Sequence, residues 1–339
     1  MRQLVTVREV RELIPIEGAD RIELARVDGW QCVVKKGDFV VGDNALYFEI
    51  DSILPPDERF AFLEQRKYRI KSMKLRGALS QGLLMPLEAT LTKDEKVRMA
   101  FGESLQEIIG VKKFEPPMPM GGKQKGTFPT HLVPKTDQER IQNIPEVLEG
   151  KRDNMFEITE KLDGTSCTFF VHVVEGDVLG SQLVTGVCSR NWEMQILDGN
   201  VYAKLFHELG IHDKLRHLGG RQLAIQGEII GPSIQKNRYK RDAQEFYVFD
   251  MYDISAQKPL SPMERWKLTN ELDLFHVPVV YWSGLSQGEH MMLTLDNVLA
   301  EAEGKSALSD TQREGLVFKS LDASLNFKAI SNKFLLKNE

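Results

Sequence analysis

The chain has 339 residues, is 42% hydrophobic and 27% charged, and carries a formal net charge of −5. It is long enough for two domains with sizeable cores and has the composition of an ordinary globular protein. No run approaches the length of a membrane helix, and Met1-Arg-Gln-Leu lacks the apolar segment that would make a signal peptide, so neither a membrane nor a secretory role is expected. Cys32, Cys167 and Cys188 are odd in number and show no Cys-x-x-Cys spacing, which argues against a disulfide framework or a structural zinc site and for a cytoplasmic protein.

Short apolar runs at residues 4–10, 21–27, 31–34, 45–50 and 83–86 read as strands, broken by Gly18-Ala-Asp, Asp28-Gly29, Lys36-Gly-Asp and Val41-Gly-Asp. Strands this short, with no long amphipathic helix among them, predict a small β-barrel. Residues 87–109, with Leu91, Val97, Phe101 and Leu105 apolar, predict one or two helices that flank it. The basic residues Arg66, Lys67, Arg69, Lys71, Lys74 and Arg76 are bunched around Tyr68. Such a run suits a phosphate backbone with a base to stack on, or else a solvated strand face. Three prolines and three glycines in residues 112–126 mark a linker at 114–127, separating a domain at 1–113 from one at 128–339.

Beyond the linker, Thr136 and Glu139 have capping-box spacing, which predicts a helix start with Arg140 in its first turn. Arg140 is there either a partner for Glu139 or Asp137, or a phosphate clamp. Lys161-Leu-Asp-Gly-Thr-Ser follows, between strand-like Met155-Phe-Glu-Ile-Thr-Glu160 and Cys167-Thr-Phe-Phe-Val-His-Val-Val174. A lysine at a strand end can aim its amine into a cleft, and becomes a nucleophile if a nearby cation and partial desolvation keep it neutral. Then come Gly186-Val-Cys-Ser-Arg-Asn191, Ile225-Gln-Gly-Glu-Ile-Ile-Gly231, Phe246-Tyr-Val-Phe-Asp250, Arg313-Glu-Gly-Leu-Val-Phe-Lys319 and Phe327-Lys-Ala-Ile-Ser-Asn-Lys333, in that order. A second basic cluster, Lys236-Asn-Arg-Tyr-Lys-Arg241, follows the Glu228 strand.

These segments and their order resemble the covalent nucleotidyltransferases: ATP-dependent DNA and RNA ligases and RNA capping enzymes. Lys74-Leu-Arg-Gly-Ala-Leu-Ser-Gln-Gly-Leu-Leu-Met-Pro86 resembles a loop and strand of OB-fold tRNA-binding modules. Lys135-Thr-Asp-Gln-Glu-Arg140-Ile-Gln-Asn143 resembles a segment that precedes the nucleophile in several RNA ligases. The chain ends at Lys337-Asn-Glu339, without the C-terminal OB domain of DNA ligases and capping enzymes. The whole is similar to a small family of nick-sealing ATP-dependent RNA ligases. The resemblance implies an α+β chain, with an N-terminal OB-like β-barrel followed by a nucleotidyltransferase domain built on antiparallel sheets with flanking helices.

It also implies roles. Lys161 would attack ATP at the α-phosphorus, with Mg²⁺ or Mn²⁺ offsetting charge on the phosphates. Asp163, Glu228 and Glu314 would hold that ion, largely through its water. The ion, with Lys319 or Lys328 close by, would keep Lys161 neutral. Strand alternation puts Tyr247 and Phe249 on one face, which makes Phe249 either the ring that stacks on adenine or an ordinary core residue. Glu160 would read the adenine edge, Arg190 would contact ribose or the acceptor phosphate, and Lys319, Lys328, Lys333 and Arg140 would grip phosphates. Ile330 stands where many ligases have a second lysine in the last motif. Lys71, Lys74, Arg76, Lys236, Arg238 and Lys240 are the candidate contacts to a nicked duplex with an RNA 3′-OH end. A DNA ligase, a capping-type transferase and a catalytically inactive nucleic-acid-binding module remain as alternatives. No histidine cluster or Walker-type loop supports zinc or P-loop chemistry.

Overall fold

In the strand Asn44–Phe48 every residue after Asn44 is buried. Ala45 and Tyr47 enter one apolar cluster with Val27, Trp30 and Cys32, whereas Leu46 and Phe48 enter another with Leu54, Phe60 and Ile109. Alternation normally leaves one face of a strand to water; here both faces are covered, so the segment reads as an unbroken apolar run. It pairs antiparallel with Val5–Glu9 on one side and Leu83–Pro86 on the other. A second sheet of three strands, Glu12–Pro15, Ile22–Val27 and Trp30–Lys35, completes the barrel walls together with the hairpin Met73–Leu75 and Ala78–Ser80. Asp28 and Gly29 join two of these strands with φ of 44° and 80°, the twist that a two-residue hairpin needs.

Three short helices follow the barrel, Leu87–Thr90, Lys93–Ala100 and Leu105–Ile109, one more than the pattern predicts. The middle one carries a full capping box between Thr92 and Glu95, worth about 1 kcal/mol for such a cap. A 3₁₀ segment, Glu58–Arg66, is not legible in the sequence; Phe60 and Leu63 are its buried anchors.

The computed structural model describes residues 3–115, 123–149, 155–174, 182–197, 199–282 and 294–338. The chain divides into two compact units, Met1–Met118 with Asn332–Glu339, and Pro119–Ser331. The final helix, Asn332–Asn338, therefore groups with the barrel; Gln81 donates to Asn332 Oδ1 at 3.1 Å. Of the expected linker, residues 116–122 lie outside the described residues. Gln124–Thr127 is an edge strand paired with Trp192–Met194, and its polar composition offers no alternation by which to see it.

The second unit holds two antiparallel sheets. The larger has eight strands, among them Gln182–Ser189, Thr165–Val174, Leu223–Ile230 and Glu245–Asp253 side by side. Its outer face packs on the helices Val201–Glu208, Ile211–Arg216 and Pro262–Glu271 through Phe169, Phe206, Leu215, Phe246 and Leu268. The smaller has four strands in the order Val279–Trp282, Phe156–Lys161, Gly315–Ser320 and Asn326–Ile330. Phe156, Ile158, Leu316, Phe318 and Phe327 form its core with Val298 of the helix Leu295–Glu301. Among the described residues no helix is long and apolar enough to cross a membrane.

Candidate active site

Lys161 ends one sheet and Thr165 begins the other, so Leu162-Asp163-Gly164 carries the chain across from the four-stranded to the eight-stranded sheet. The flanking strands do not pair with each other, as a hairpin would require. Gly164 is forced by contact: a Cβ there would lie 2.2 Å from the Ile229 carbonyl oxygen and 2.9 Å from Glu228 Cγ. That close approach lets the Gly164 N–H donate to Glu228 Oε1 at 3.1 Å. The crossing thereby brings the lysine of one sheet to the carboxylate of the other.

On the small sheet, Lys161 lies opposite Gly315, and Glu314 immediately precedes that strand. Glu314 Oε1 sits 2.7 Å from Lys161 Nζ. Burial pulls the Lys161 ammonium down, but the carboxylates of Glu314, Glu228 and Asp163 outweigh it and leave the amine above its ordinary value. Glu228 is pushed up to about 8 by burial first, with Lys161 opposing and Glu314 adding to the rise. Burial and the Glu314 charge also raise Asp163, against the pull of Arg238 and Lys161.

Register places the other lysines. Val317 lies opposite Lys328, and Glu157 opposite Lys319, so both lysines share the Lys161 face of the sheet. Lys328 is pushed down to about 8, by burial first and then by Lys161 and Arg140. It is thus Lys328 rather than Lys319 that neighbours Lys161. Ile330 lies opposite Gly315 on the same face and is buried, so an apolar side chain fills the row of Lys161 where many ligases have a second lysine. Lys333 is exposed on the final helix, in the other compact unit.

Arg140 is not in the first turn of a helix capped by Thr136; it is the N-cap of the short 3₁₀ turn Ile141–Asn143. The Thr136–Glu139 capping box is not formed, because the backbone stays extended: the Lys328 N–H donates to the Glu139 carbonyl at 2.9 Å, and Arg140 bridges Lys328 in parallel. Glu139 Oε1 instead accepts from the Arg140 N–H (3.1 Å) and from Asn143 Nδ2 (2.7 Å). Arg140 is therefore held beside Lys328 by strand-like pairing, at the point where that 3₁₀ turn begins. Arg190 is exposed and pairs with Asp137 at 2.6 Å.

In the strand Glu245–Asp253 a bulge makes Phe249 an extra residue between Val248, which faces Gly227, and Asp250, which faces Gln226. Tyr247 and Phe249 join the apolar cluster of Leu162 and Val277, as alternation predicts, while Phe246 and Val248 enter the outer core. Phe249 is half-buried, and Lys319 Nζ donates to its carbonyl at 2.5 Å and to Asp250 Oδ2 at 2.9 Å. Glu160 is buried on the opposite face of its strand from Lys161. One carboxylate oxygen accepts from the Ala307 N–H at 2.7 Å; the other, Oε1, has no hydrogen-bond partner among the described residues.

Several contacts around the turn are not legible in the sequence, although Arg238 is named there as a candidate contact to nucleic acid. Tyr239 Oη accepts from the Asp163 N–H at 2.7 Å, and Arg238 Nε donates to Asp163 Oδ2 at 3.1 Å. Arg238 thus sits on the Asp163 turn, whereas Lys236 and Lys240 of the same loop are exposed. Arg265, 1% exposed, pairs with the fully buried Glu157 and lies 3.8 Å from Asp250. Breaking such a buried pair from one side costs about 3–5 kcal/mol. Only spatial contact could reveal these residues, since Arg238 reads as one more member of a basic run and Arg265 as an ordinary helix residue.

The donor set suits a divalent ion. Three carboxylates converge on one amine and two of them are raised by burial, so added positive charge would relieve their mutual repulsion. Among the described residues no group of three His, Cys, Asp or Glu side chains is set to ligate one ion directly.

An OB-fold domain model matches residues 4–87, and an RNA ligase model matches residues 154–337. The chain belongs to the RNA ligase family. An aspartate-to-alanine variant of Naegleria gruberi RNA ligase in the apo form is 39% identical, covers 99% of this chain and 98% of its own, and superposes with a TM-score of 0.79. A lysine-to-alanine variant of that ligase with ATP and Mn is 38% identical, with 99% of each chain covered and a TM-score of 0.79. The same ligase with PPi is 39% identical, again over 99% of each chain, with a TM-score of 0.78. No curated protein sequence matches the chain. The α+β reading, an OB barrel followed by a ligase domain on antiparallel sheets, agrees with this family member throughout.

Proposed function

We propose that this protein is an ATP-dependent RNA ligase that joins a 3′-OH to a 5′-phosphate at nicks in duplex nucleic acid, in the service of RNA repair in the cytoplasm. The observation that carries the reading is Lys161 at the junction of two sheets, 2.7 Å from Glu314, with Lys328 lowered in pKa on the same face. The Naegleria relative's complexes with ATP and Mn, and with PPi, support ATP and a divalent ion, Mg²⁺ or Mn²⁺, as its cofactors.

Lys161 loses its proton, for which Glu314 is the adjacent acceptor, and its Nζ attacks the α-phosphorus of ATP. The N–P bond forms as the bond to the β-phosphate oxygen breaks, and pyrophosphate leaves with the electron pair. An oxygen of the 5′-phosphate next displaces lysine from AMP, giving an AMP-capped 5′ end. The 3′-OH then attacks that 5′-phosphate and AMP departs. Lys328, Lys319 and Arg140 hold the phosphates by charge; Arg190, which is exposed, is a further candidate. Phe249 offers a ring to the adenine, and the unpartnered Glu160 Oε1 suits a donor on the base edge. When bound, a divalent ion held through water by Asp163, Glu228 and Glu314 would neutralise phosphate charge and loosen the carboxylates' grip on the lysine proton.

Discrimination between RNA and DNA is expected at the 3′-OH side of the break. A polar site built for a ribose 2′-OH is left unpaired when that hydroxyl is missing, which can cost orders of magnitude in rate. Nicked duplexes differing only in their terminal sugars should be sealed at least about a hundredfold faster with a ribose at the 3′ end. Equal sealing of all-DNA nicks would instead promote the DNA-ligase reading.

Lys71, Lys74 and Arg76 are exposed on and beside the Met73–Ser80 hairpin, with Arg76 at its turn. Replacing the three with Ala should weaken nick binding and flatten its salt dependence by about one unit of slope for each phosphate no longer neutralised, with lysine–AMP formation nearly intact. Binding unchanged at every salt concentration would leave this face merely solvated. Lys236 and Lys240 are the corresponding exposed candidates of the ligase domain.

A further inference from the structure

A closed ionic cluster lies behind the nucleotide lysine. Its members are Glu157 and Arg265, both within 1% of complete burial, together with Asp250, Lys319 and His276. Arg265 reaches three of them from the helix Pro262–Glu271: Glu157 through Nη2, Asp250 through Nη1 at 3.8 Å, and His276 through Nε at 3.2 Å. His276 is pushed down to about 3, by burial and then by Arg265, so it is neutral here and accepts from Arg265. Two carboxylates thus face two cations, Arg265 and Lys319. Glu157 is the register partner of Lys319 across the sheet, and Asp250 is its direct ion pair at 2.9 Å. Asp250 Oδ1 also accepts from the Met251 N–H at 3.1 Å.

This balance has a consequence for the lysine. An ammonium has three donors, and two of those on Lys319 are spent on the Phe249 carbonyl and on Asp250. Resting on the reading of Lys319 as a nucleotide-phosphate contact, we propose that Arg265 is a positioning residue for ATP binding. By occupying Glu157 and sharing Asp250, it keeps two buried carboxylates from both capturing Lys319 and leaves the third donor free for phosphate. Without Arg265, Lys319 is the one cation of the cluster left to balance Glu157 and Asp250, and an incoming polyphosphate must compete with both.

The test is lysine–AMP formation at varied ATP, with folding checked by thermal melting. Arg265→Met should raise KM for ATP about tenfold or more with kcat little changed, the signature of weakened ground-state binding. Glu157→Gln in the same chain removes one anion along with the cation. It should bring KM back to within about threefold of wild type. Because a buried ion pair also couples in stability, the deciding readout is KM measured on folded protein well below the melting temperature of each variant. A double variant as impaired as Arg265→Met, or worse, would reduce Arg265 to packing and overturn the proposal, as would a wild-type KM in Arg265→Met. Should Arg265→Met not fold, Arg265→Lys keeps a cation that reaches only one carboxylate, and its smaller KM rise should likewise be reversed by Glu157→Gln; no reversal would overturn the proposal. Lys319→Ala separates the two levels. An unchanged KM there removes Lys319 from the nucleotide site, whereas a raised KM beside a normal Arg265→Met fails only the inference about Arg265.

Discussion

Lys161→Ala is expected to abolish both lysine–AMP formation and sealing, because among the described residues no other amine stands at the junction of the two sheets beside Glu314. Lys328 shares the sheet face and its lowered pKa gives it some free amine near neutral pH, but it stands on another strand, with Gly315–Ser320 between it and the Lys161 strand. Nucleophilic displacement requires in-line approach within a few tenths of an ångström, and a neighbouring strand position cannot supply it. The measurement is retention of label from radiolabelled ATP on a denaturing gel, with GTP as the companion. A labelled Ala variant would sink the assignment, and label from GTP would move the protein towards the capping enzymes.

The second large effect belongs to the acids. Glu228→Ala and Glu314→Ala are expected to lose at least about two orders of magnitude in adenylylation while remaining folded, as groups that place a catalytic cation and stabilise developing charge do. Glu228 also accepts the Gly164 N–H, so its removal loosens the sheet crossing as well as the charge. Glu228→Gln retains the acceptor and removes only the charge. If the Gln variant is as inactive as the Ala variant, charge is what matters; if it is active, Glu228 serves the turn alone. Near-wild-type turnover of either Ala variant at saturating Mg²⁺ would take that residue out of the site.

What the sequence shows and what it hides divides along a physical line. Lys161, Glu228 and the Phe246–Asp250 strand are legible because their chemistry is written in short contiguous runs: a charged residue among apolar ones, glycines where backbones touch, and two-residue alternation. The Tyr247–Phe249 face is derivable from that alternation alone, since the bulge falls only after Val248. The Thr136–Glu139 spacing puts Arg140 in a helix's first turn, whereas it stands at the N-cap of a 3₁₀ turn, because a capping box is a local signal and the pairing of Glu139–Arg140 with Lys328 is not. The edge strand Gln124–Thr127 reads as linker for the same reason: a polar strand with one partner has no inward face to announce it. Arg265, Glu157, Tyr239 and the inward turn of Arg238 depend on which helices and loops come to lie over the sheets, and nothing within a few residues of them records it.

The passage of Leu162-Asp163-Gly164 from one sheet to the other would give a covalent lysine adduct a second use. The amine belongs to one hydrogen-bonded ladder and the carboxylate that completes its surroundings to another, tied by three residues of chain. A fluctuation that frays either ladder separates them even while the remaining sheet stays intact. The initial rate of lysine labelling would then follow the fraction of molecules in which both sheets are in register at once. Followed against temperature or urea, it is a chemical thermometer for their cooperativity, read at the one point where they share a reaction.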